Sequence, residues 1–140
     1  MERFEFFEEG DFLSFGNTQW EVLNTPGHCP TQHVFLQKEE KQLISSDMLL
    51  PIASMPIVTF DPENPNQPVR ALRNLLDSFE RLRAFDIEKV YPGHGPEFKD
   101  ANSLMNKQLA RIEMRKNECL EAVKSGLKTP YAINLSLIHI

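Results

Sequence analysis

Two Pro-Gly-His triplets, Pro26–His28 and Pro92–His94, constrain this chain more than any other feature of its sequence. Each triplet follows a short segment that is typical of a β-strand. The glycine lets the backbone turn tightly without a Cβ clash, so the histidine at each strand end can be brought to a shared point. We therefore expect a sheet that presents both imidazoles at one edge.

A carboxylate lies between the two histidines in the chain. The apolar segment Leu43–Ser46 is typical of a strand, and Asp47 follows it directly. A buried charge is costly there unless it is paired or bound to a metal. Taken singly, such residues are more often turn formers, caps or satisfied side chains. Two imidazoles and one carboxylate at three strand ends are instead typical metal ligands, so we predict a metal site at His28, Asp47 and His94.

The rest of the first hundred residues predicts short strands and one loop. Partial alternation of apolar residues indicates two antiparallel pairs and a single strand: Asp11–Gly16 with Gln19–Asn24, Val34–Leu36 with Gln42–Ser45, and Lys89–Pro92. Gly16-Asn17 is typical of a hairpin turn. Five prolines between Pro51 and Pro68 predict a loop, because each lacks a backbone donor.

Helical periodicity follows the loop. Apolar residues at steps of three or four predict a helix from Pro68, a favourable first position, to Leu82. A longer helix is predicted from an Asp100 cap to about Lys124, with Gly126 as its stop. Its apolar residues fall roughly on one face: Leu104, Leu109, Ile112, Leu120 and Val123. The order of strands, loop, helix, strand and helix predicts an α+β fold.

Composition excludes several classes of protein. The 140 residues carry a net charge of −5, with 41% hydrophobic and 25% charged residues, as in an ordinary soluble domain without a broad basic surface. No apolar run is long enough to span a membrane, and no signal peptide is visible. Cys29 and Cys119 form no recognisable disulfide pattern. We expect a cytoplasmic protein with no membrane partner, and the oligomeric state stays open.

The segments Thr25–His28, Ser45–Asp47 and Tyr91–Gly95 together resemble the second half of the metallo-beta-lactamase superfamily pattern. The resemblance runs from about Gly10 to Pro96. It implies half of a four-layer αββα sandwich, followed by a helical C-terminal extension.

The resemblance also implies a ligand set. His28 would bind one metal ion, Asp47 would bridge two, and His94 would bind the second. Zinc is the expected metal, two ions in a complete site, with manganese or iron as alternatives. The family pattern predicts a hydrolase in which a metal-bound hydroxide attacks an ester, thiolester, lactone or phosphodiester.

Some positions depart from the family pattern. Ser46 stands where the family usually has glycine, and Met48 where it often has threonine or histidine. His33 lies near a family histidine that is not a main ligand, so it would orient a ligand, contact substrate or simply pack. Cys29 follows the first ligand, and we expect it to pack rather than to bind metal.

The largest departure concerns the family motif His-x-His-x-Asp-His, which supplies the remaining ligands and the acid/base aspartate. Only 27 residues precede His28, and none of them is histidine. We therefore expect residues 1–99 to be the C-terminal half of a metallo-beta-lactamase-like domain, and the isolated chain to be inactive. The catalytic acid/base is not assigned to any residue of this chain.

The C-terminal residues carry two further predictions. Residues 100–134 resemble the helix and beginning of a winged-helix region found in one subgroup of the family. Leu135–Ile140 matches a translated sequencing adapter, in which case His139 would have no function. The alternative is a genuine apolar helix start. A small ester-type substrate is the expected partner. The alternatives are a non-catalytic remnant of the fold, or an RNA-binding or ribonuclease protein that uses the winged-helix region.

Overall fold

The computed structural model describes residues 6–51, Asn66 and residues 69–138, with the side chains of Leu135 and Ile138 excepted. In this part of the chain the elements follow in the order β1 (Phe12–Phe15), β2 (Thr18–Asn24), β3 (His33–Gln37), β4 (Gln42–Ser46), α1 (Ala71–Leu82), β5 (Lys89–Pro92), β6 (Phe98–Lys99), α2 (Ala101–Lys124) and α3 (Pro130–Ile138). A mostly antiparallel sheet combined with helices, two of which follow the last strand, makes this an α+β protein.

The described strands form one mixed sheet of six, in the spatial order β1-β2-β3-β4-β5-β6. Neighbouring strands are antiparallel except for β4 and β5, which are parallel. The parallel pair requires a crossover between β4 and β5, and α1 lies in that connection. Strands β2, β4 and β5 consequently run in the same direction and end at the same edge of the sheet.

The predicted strands are confirmed within a residue or two at their ends. The β1–β2 hairpin turns at Gly16-Asn17, where Gly16 has a φ of 64°. The second hairpin turns at Lys38–Lys41, and β5 has the predicted bounds. Strand β6 was not predicted, because a two-residue strand is too short to show an alternating pattern.

Much of the core lies on one face of the sheet, while Trp20 and Val22 of β2 are buried on the other face. Alternate residues of the central strands are buried on the first face: Val34, Leu36, Leu43 and Val90. Helix α1 contributes its own buried residues: Ala71, Leu75, Ser78, Phe79 and Leu82. Leu75, Phe79 and Leu82, at steps of four and three residues, belong to the apolar stripe that predicted this helix.

Helix α1 begins at Ala71 rather than at the predicted Pro68, which lies outside the described residues. Arg70 has a non-helical backbone and no side-chain cap, and its carbonyl accepts the first helical hydrogen bond, from the Asn74 amide at 2.9 Å. The proline-rich loop predicted for residues 51–68 falls almost wholly outside the described residues.

The chain divides into two compact units, Met1–Met105 and Asn106–Ile140. Helix α2 begins in the first unit, where the Asp100 carboxylate accepts a hydrogen bond from the Ser103 amide at 2.9 Å and confirms the predicted cap. Gly126, with a φ of 102°, ends this helix as predicted. In the second unit Leu120 and Val123 are exposed, although an apolar stripe was predicted along α2.

Helix α3 carries the beginning of the segment that resembles adapter sequence, since it runs through Leu135 to Ile138. The origin of that segment and the winged-helix resemblance both stay predictions. Among the described residues, no helix combines the length and the apolar character needed to cross a bilayer. Cys29 and Cys119 are both free thiols.

Candidate metal centre

The direction of the strands brings the three predicted ligands to one edge of the sheet. His28 lies four residues beyond the end of β2, Asp47 directly follows β4, and His94 lies two residues beyond β5. Because β2, β4 and β5 end at the same edge, all three side chains meet there. The structure thus brings His28, Asp47 and His94 together, while their role as ligands stays a prediction.

The Asp47 carboxylate lies between the two imidazoles. Its Oδ2 is 3.6 Å from His28 Nε2, and its Oδ1 is 3.5 Å from His94 Nε2. Both distances are too long for a hydrogen bond. Two ligands of one tetrahedral metal ion, each about 2.0–2.1 Å from it, lie roughly 3.3 Å apart. The donor atoms are therefore spaced as a metal ion between each pair would require, and the donor set fits zinc, iron or manganese.

Each carboxylate oxygen faces a different histidine, so the arrangement consists of two pairs rather than one triad. In the part of the chain that the structure describes, no three His, Cys, Asp or Glu side chains surround a common point as a complete mononuclear site would. The carboxylate and His28 are both largely covered, with 27% and 22% of their side chains exposed. The His94 side chain is 72% exposed, so the centre is open on that side.

Gly93 makes room for the carboxylate. A Cβ atom at this position would lie 2.6 Å from Asp47 Oδ1 and 3.1 Å from the Ser46 carbonyl carbon. The Gly93 amide also donates a hydrogen bond of 2.8 Å to the Ser46 carbonyl, which joins the two ligand loops. The glycine predicted to permit a tight turn before His94 is also required for the close approach of Asp47.

Ser46 is the position where the family usually has glycine. Its φ is 48°, in the left-handed region that favours glycine, and a register shift in the β4–β5 pairing lies beside it. The preceding Ser45 is fully buried, and its hydroxyl donates to the Leu49 carbonyl at 3.1 Å. The turn that carries Asp47 therefore holds a serine in a backbone conformation that glycine adopts with less strain.

Two other candidate residues lie near the first ligand in sequence. His33 opens β3, with Nδ1 2.8 Å from the Thr31 carbonyl and its ring edge-on to Phe7. These contacts do not test whether it supports a metal ligand. Cys29 is a half-buried thiol with its sulfur 4.0 Å from side-chain oxygens of Thr31 and Gln32, and its packing role stays a prediction.

Helix α1 packs closely against the loop before His28. A Cβ atom on Gly27 would lie 3.0 Å from both the Cα and the Cβ of Leu75. Ser78, also on α1, donates from its hydroxyl to the Pro26 carbonyl at 2.8 Å. The sequence carries no signal for these contacts, because the partners lie about 50 residues apart and neither belongs to a recognisable motif.

A mixed sheet that brings two histidines and an aspartate to one edge fits the metallohydrolase class of protein. Residues 2–94 match the model of the metallo-beta-lactamase superfamily, and the chain belongs to that superfamily. This result confirms the resemblance in the three ligand segments. The superfamily is metal-dependent, and the α+β sheet described above is part of its fold, followed here by a helical C-terminal region.

Known structures and proteins support the assignment. A metallo-beta-lactamase family protein from Thermus thermophilus has a TM-score of 0.78 and 28% identity, over 94% of this chain and 42% of that one. A lactamase-like protein from Pestalotiopsis microspora is 25% identical over 116 residues, 83% of this chain and 32% of that protein. An atrochrysone carboxyl ACP thioesterase from Aspergillus aculeatus is 24% identical over 116 residues, 83% of this chain and 33% of that protein. The chain spans about a third of the length of these curated relatives.

Proposed function

We propose that the complete protein is a dinuclear metal-dependent hydrolase and that His28, Asp47 and His94 are three of its metal ligands. The observation that carries the proposal is the Asp47 carboxylate, which directs one oxygen to each histidine at 3.5–3.6 Å. A carboxylate that bridges two metal ions needs this arrangement, because each oxygen must share a metal with a different imidazole. The superfamily relationship supports the same assignment.

The number of ligands limits what these three residues achieve alone. With Asp47 shared, one metal ion has His28 and Asp47 as ligands, and the other has His94 and Asp47. Catalytic zinc usually has three protein ligands and a water molecule. The 140-residue sequence contains no His-x-His-x-Asp-His. We therefore expect this chain alone to bind zinc weakly and to lack turnover.

The residues of this chain have separate roles in the proposed centre. Bound metal ions would supply an activated water molecule and polarise the scissile carbonyl or phosphoryl oxygen. The imidazoles of His28 and His94 would each hold one metal ion, and the negative charge of Asp47 would offset the repulsion between the two cations. Zinc is the proposed metal, with manganese and iron as alternatives that the same donors accept.

The proposed substrate is a small molecule with an ester-type bond. A thiolester is the first choice, because one of the relatives is named as a thioesterase. Lactones and phosphodiesters follow, and RNA is retained because of the winged-helix resemblance in the C-terminal region. We also propose a cytoplasmic location, supported by the two free thiols.

The test compares metal binding and hydrolysis in the purified chain and in single variants. Zinc binding is followed by NMR titration, and hydrolysis is assayed with a thiolester, a lactone, a phosphodiester and RNA. We expect weak zinc binding in the unmodified chain, which His28→Ala, Asp47→Ala and His94→Ala each reduce further. His139→Ala is the matched control, since it removes an imidazole that is not a proposed ligand.

Two results would contradict the proposal. Equal zinc binding in the three ligand variants and in His139→Ala would remove the ligand assignment. Tight stoichiometric zinc with turnover that disappears in His94→Ala would show that the three residues suffice, and the ligand count would be wrong.

A further inference from the structure

His28 is held differently from the other two proposed ligands. Asp47 directly follows β4, and Gly93, which precedes His94, is hydrogen-bonded to Ser46, so the parallel β4–β5 pair fixes both positions. His28 lies four residues beyond the end of β2. The segment Asn24–Gly27 connects His28 to β2, so the contacts that hold this loop contribute to the position of His28.

Helix α1 contacts this loop at three successive points. Leu75 packs on Gly27, the Ser78 hydroxyl donates to the Pro26 carbonyl at 2.8 Å, and Arg81 Nη1 donates to the Asn24 carbonyl at 3.1 Å. Positions 75, 78 and 81 of the helix are about one turn apart. The loop thus runs antiparallel to α1, with its three contacts at intervals of about one turn.

The backbone groups of the loop are largely satisfied by these contacts. The Asn24 amide donates to a Glu9 carboxylate oxygen at 2.6 Å, and Glu9 is itself paired with Arg81. Arg81 therefore donates directly to the Asn24 carbonyl. It also pairs with the Glu9 carboxylate, which accepts the hydrogen bond from the Asn24 amide. The Thr25 amide donates to the Gln32 carbonyl at 2.8 Å, which closes the loop on its other side.

Two of the three contacts from α1, those of Leu75 and Ser78, are buried in the fold and are not incidental surface contacts. Ser78 is 4% exposed and Leu75 is 3% exposed, although serine has no apolar reason to be buried on a helix. A buried hydroxyl needs a hydrogen-bond partner, and the Pro26 carbonyl provides it. Removing the hydroxyl would leave that carbonyl without this donor and free the loop at its centre.

We propose that Ser78 and Arg81 are positioning residues that hold the loop Asn24–Gly27 and thereby place His28 beside Asp47. The consequence for metal binding rests on the proposed function. By reciprocity, an ion bound at His28 would strengthen the docking of α1 on the loop. His94, which is held by the sheet, should not respond to either residue.

The test uses the full 140-residue chain and reads the two histidines separately. Diethyl pyrocarbonate modifies accessible imidazoles, and mass spectrometry gives the modification rates of His28 and His94 in the absence of metal. The variants are Ser78→Ala, Arg81→Met and Arg81→Lys. Arg73→Gln is the matched control, because Arg73 lies on the same helix and forms an exposed ion pair with Asp77.

Loss of one hydrogen bond to the loop should raise the rate at His28 by roughly two- to tenfold, with no change at His94. Arg81→Lys should restore much of the protection, since it retains the charge opposite Glu9, and Arg73→Gln should leave both rates unchanged. If Ser78→Ala does not fold, Arg81→Met gives the same comparison of His28 with His94, because Arg81 is half-exposed and its replacement should leave the core intact. Equal acceleration at His28 and His94, or none at His28, would overturn the proposal.

A zinc titration of the same variants separates this proposal from the proposed function. The zinc affinity read from the NMR signals of His28 should fall in Ser78→Ala by the same factor as the loss of protection, roughly two- to tenfold. The response of the His94 signals to zinc should persist. Should the unmodified chain bind no zinc while His28 still loses protection in Ser78→Ala, the metal function would fail and the positioning role would stand. Zinc binding that is unaffected by Ser78→Ala and Arg81→Met would overturn the positioning role alone.

Discussion

Gly93→Ala tests the geometry of the centre most directly, because it adds a single carbon atom beside the shared carboxylate. The new Cβ would lie 2.6 Å from Asp47 Oδ1, 3.1 Å from the Ser46 carbonyl carbon and 3.3 Å from the Ser46 carbonyl oxygen. The first distance is well inside van der Waals contact. Either the carboxylate rotates away or the two loops separate.

The two responses have different magnitudes. The Ser46 contacts are with backbone atoms that cannot rotate, and such overpacking costs about 1–3 kcal/mol. The Asp47 side chain is partly exposed and can rotate, so we expect the stability loss near the lower end, about 1 kcal/mol. Rotation takes Oδ1 away from His94, and misplacing a ligand in this way should weaken metal binding by about 10- to 100-fold.

Urea denaturation measures the stability, and NMR titration with zinc measures the affinity. His94→Ala is the control for the ligand itself, since this exposed side chain should affect zinc binding with little change in stability. An Asp47→Ala background removes the clashing oxygen, so Gly93→Ala should cost less there than in the unmodified chain. Unchanged zinc affinity in Gly93→Ala, or an equal stability cost in both backgrounds, would refute the argument.

Ser46→Gly should raise the free energy of unfolding by about 0.5–1 kcal/mol in urea, because the backbone strain it removes at this left-handed position exceeds the entropic cost of glycine. A lower urea midpoint would contradict this. Gly27→Ala should lower stability by about 1–3 kcal/mol in a thermal melt, because its Cβ would lie 3.0 Å from Leu75. An unchanged melting temperature would show that α1 can shift away from the loop at little cost. The hydrogen bond from Arg81 holds the pKa of Glu9 below its ordinary value of 4.5, so this pair stabilises the fold above that pH and the contribution is lost as pH falls through the folded pKa. Arg81→Met should therefore reduce the loss of stability on acidification below about pH 4.5, and an equal loss in both proteins would exclude this role for the pair.

The parts of the fold that follow from short-range interactions could be predicted from the sequence. The turn at Gly16-Asn17, the cap at Asp100 and the stop at Gly126 each depend on one residue's backbone preference or on a hydrogen bond three residues away. The ligand residues were recognisable for the same reason, because Pro-Gly-His and a strand-ending aspartate are local patterns. Strand β6, with two residues, had no period to detect.

The tertiary structure alone decided how these local pieces meet. The common direction of β2, β4 and β5 places His28, Asp47 and His94 at one edge, and no local pattern encodes the direction or register of strands that are distant in sequence. The close approach of Asp47 to Gly93 and the contacts of α1 with the His28 loop likewise join residues about 50 apart. By itself the sequence determined which side chains are candidate metal ligands, because that depends on residue type and the adjoining turn. Their spacing at 3.5–3.6 Å depends on the packing of the whole sheet and helix.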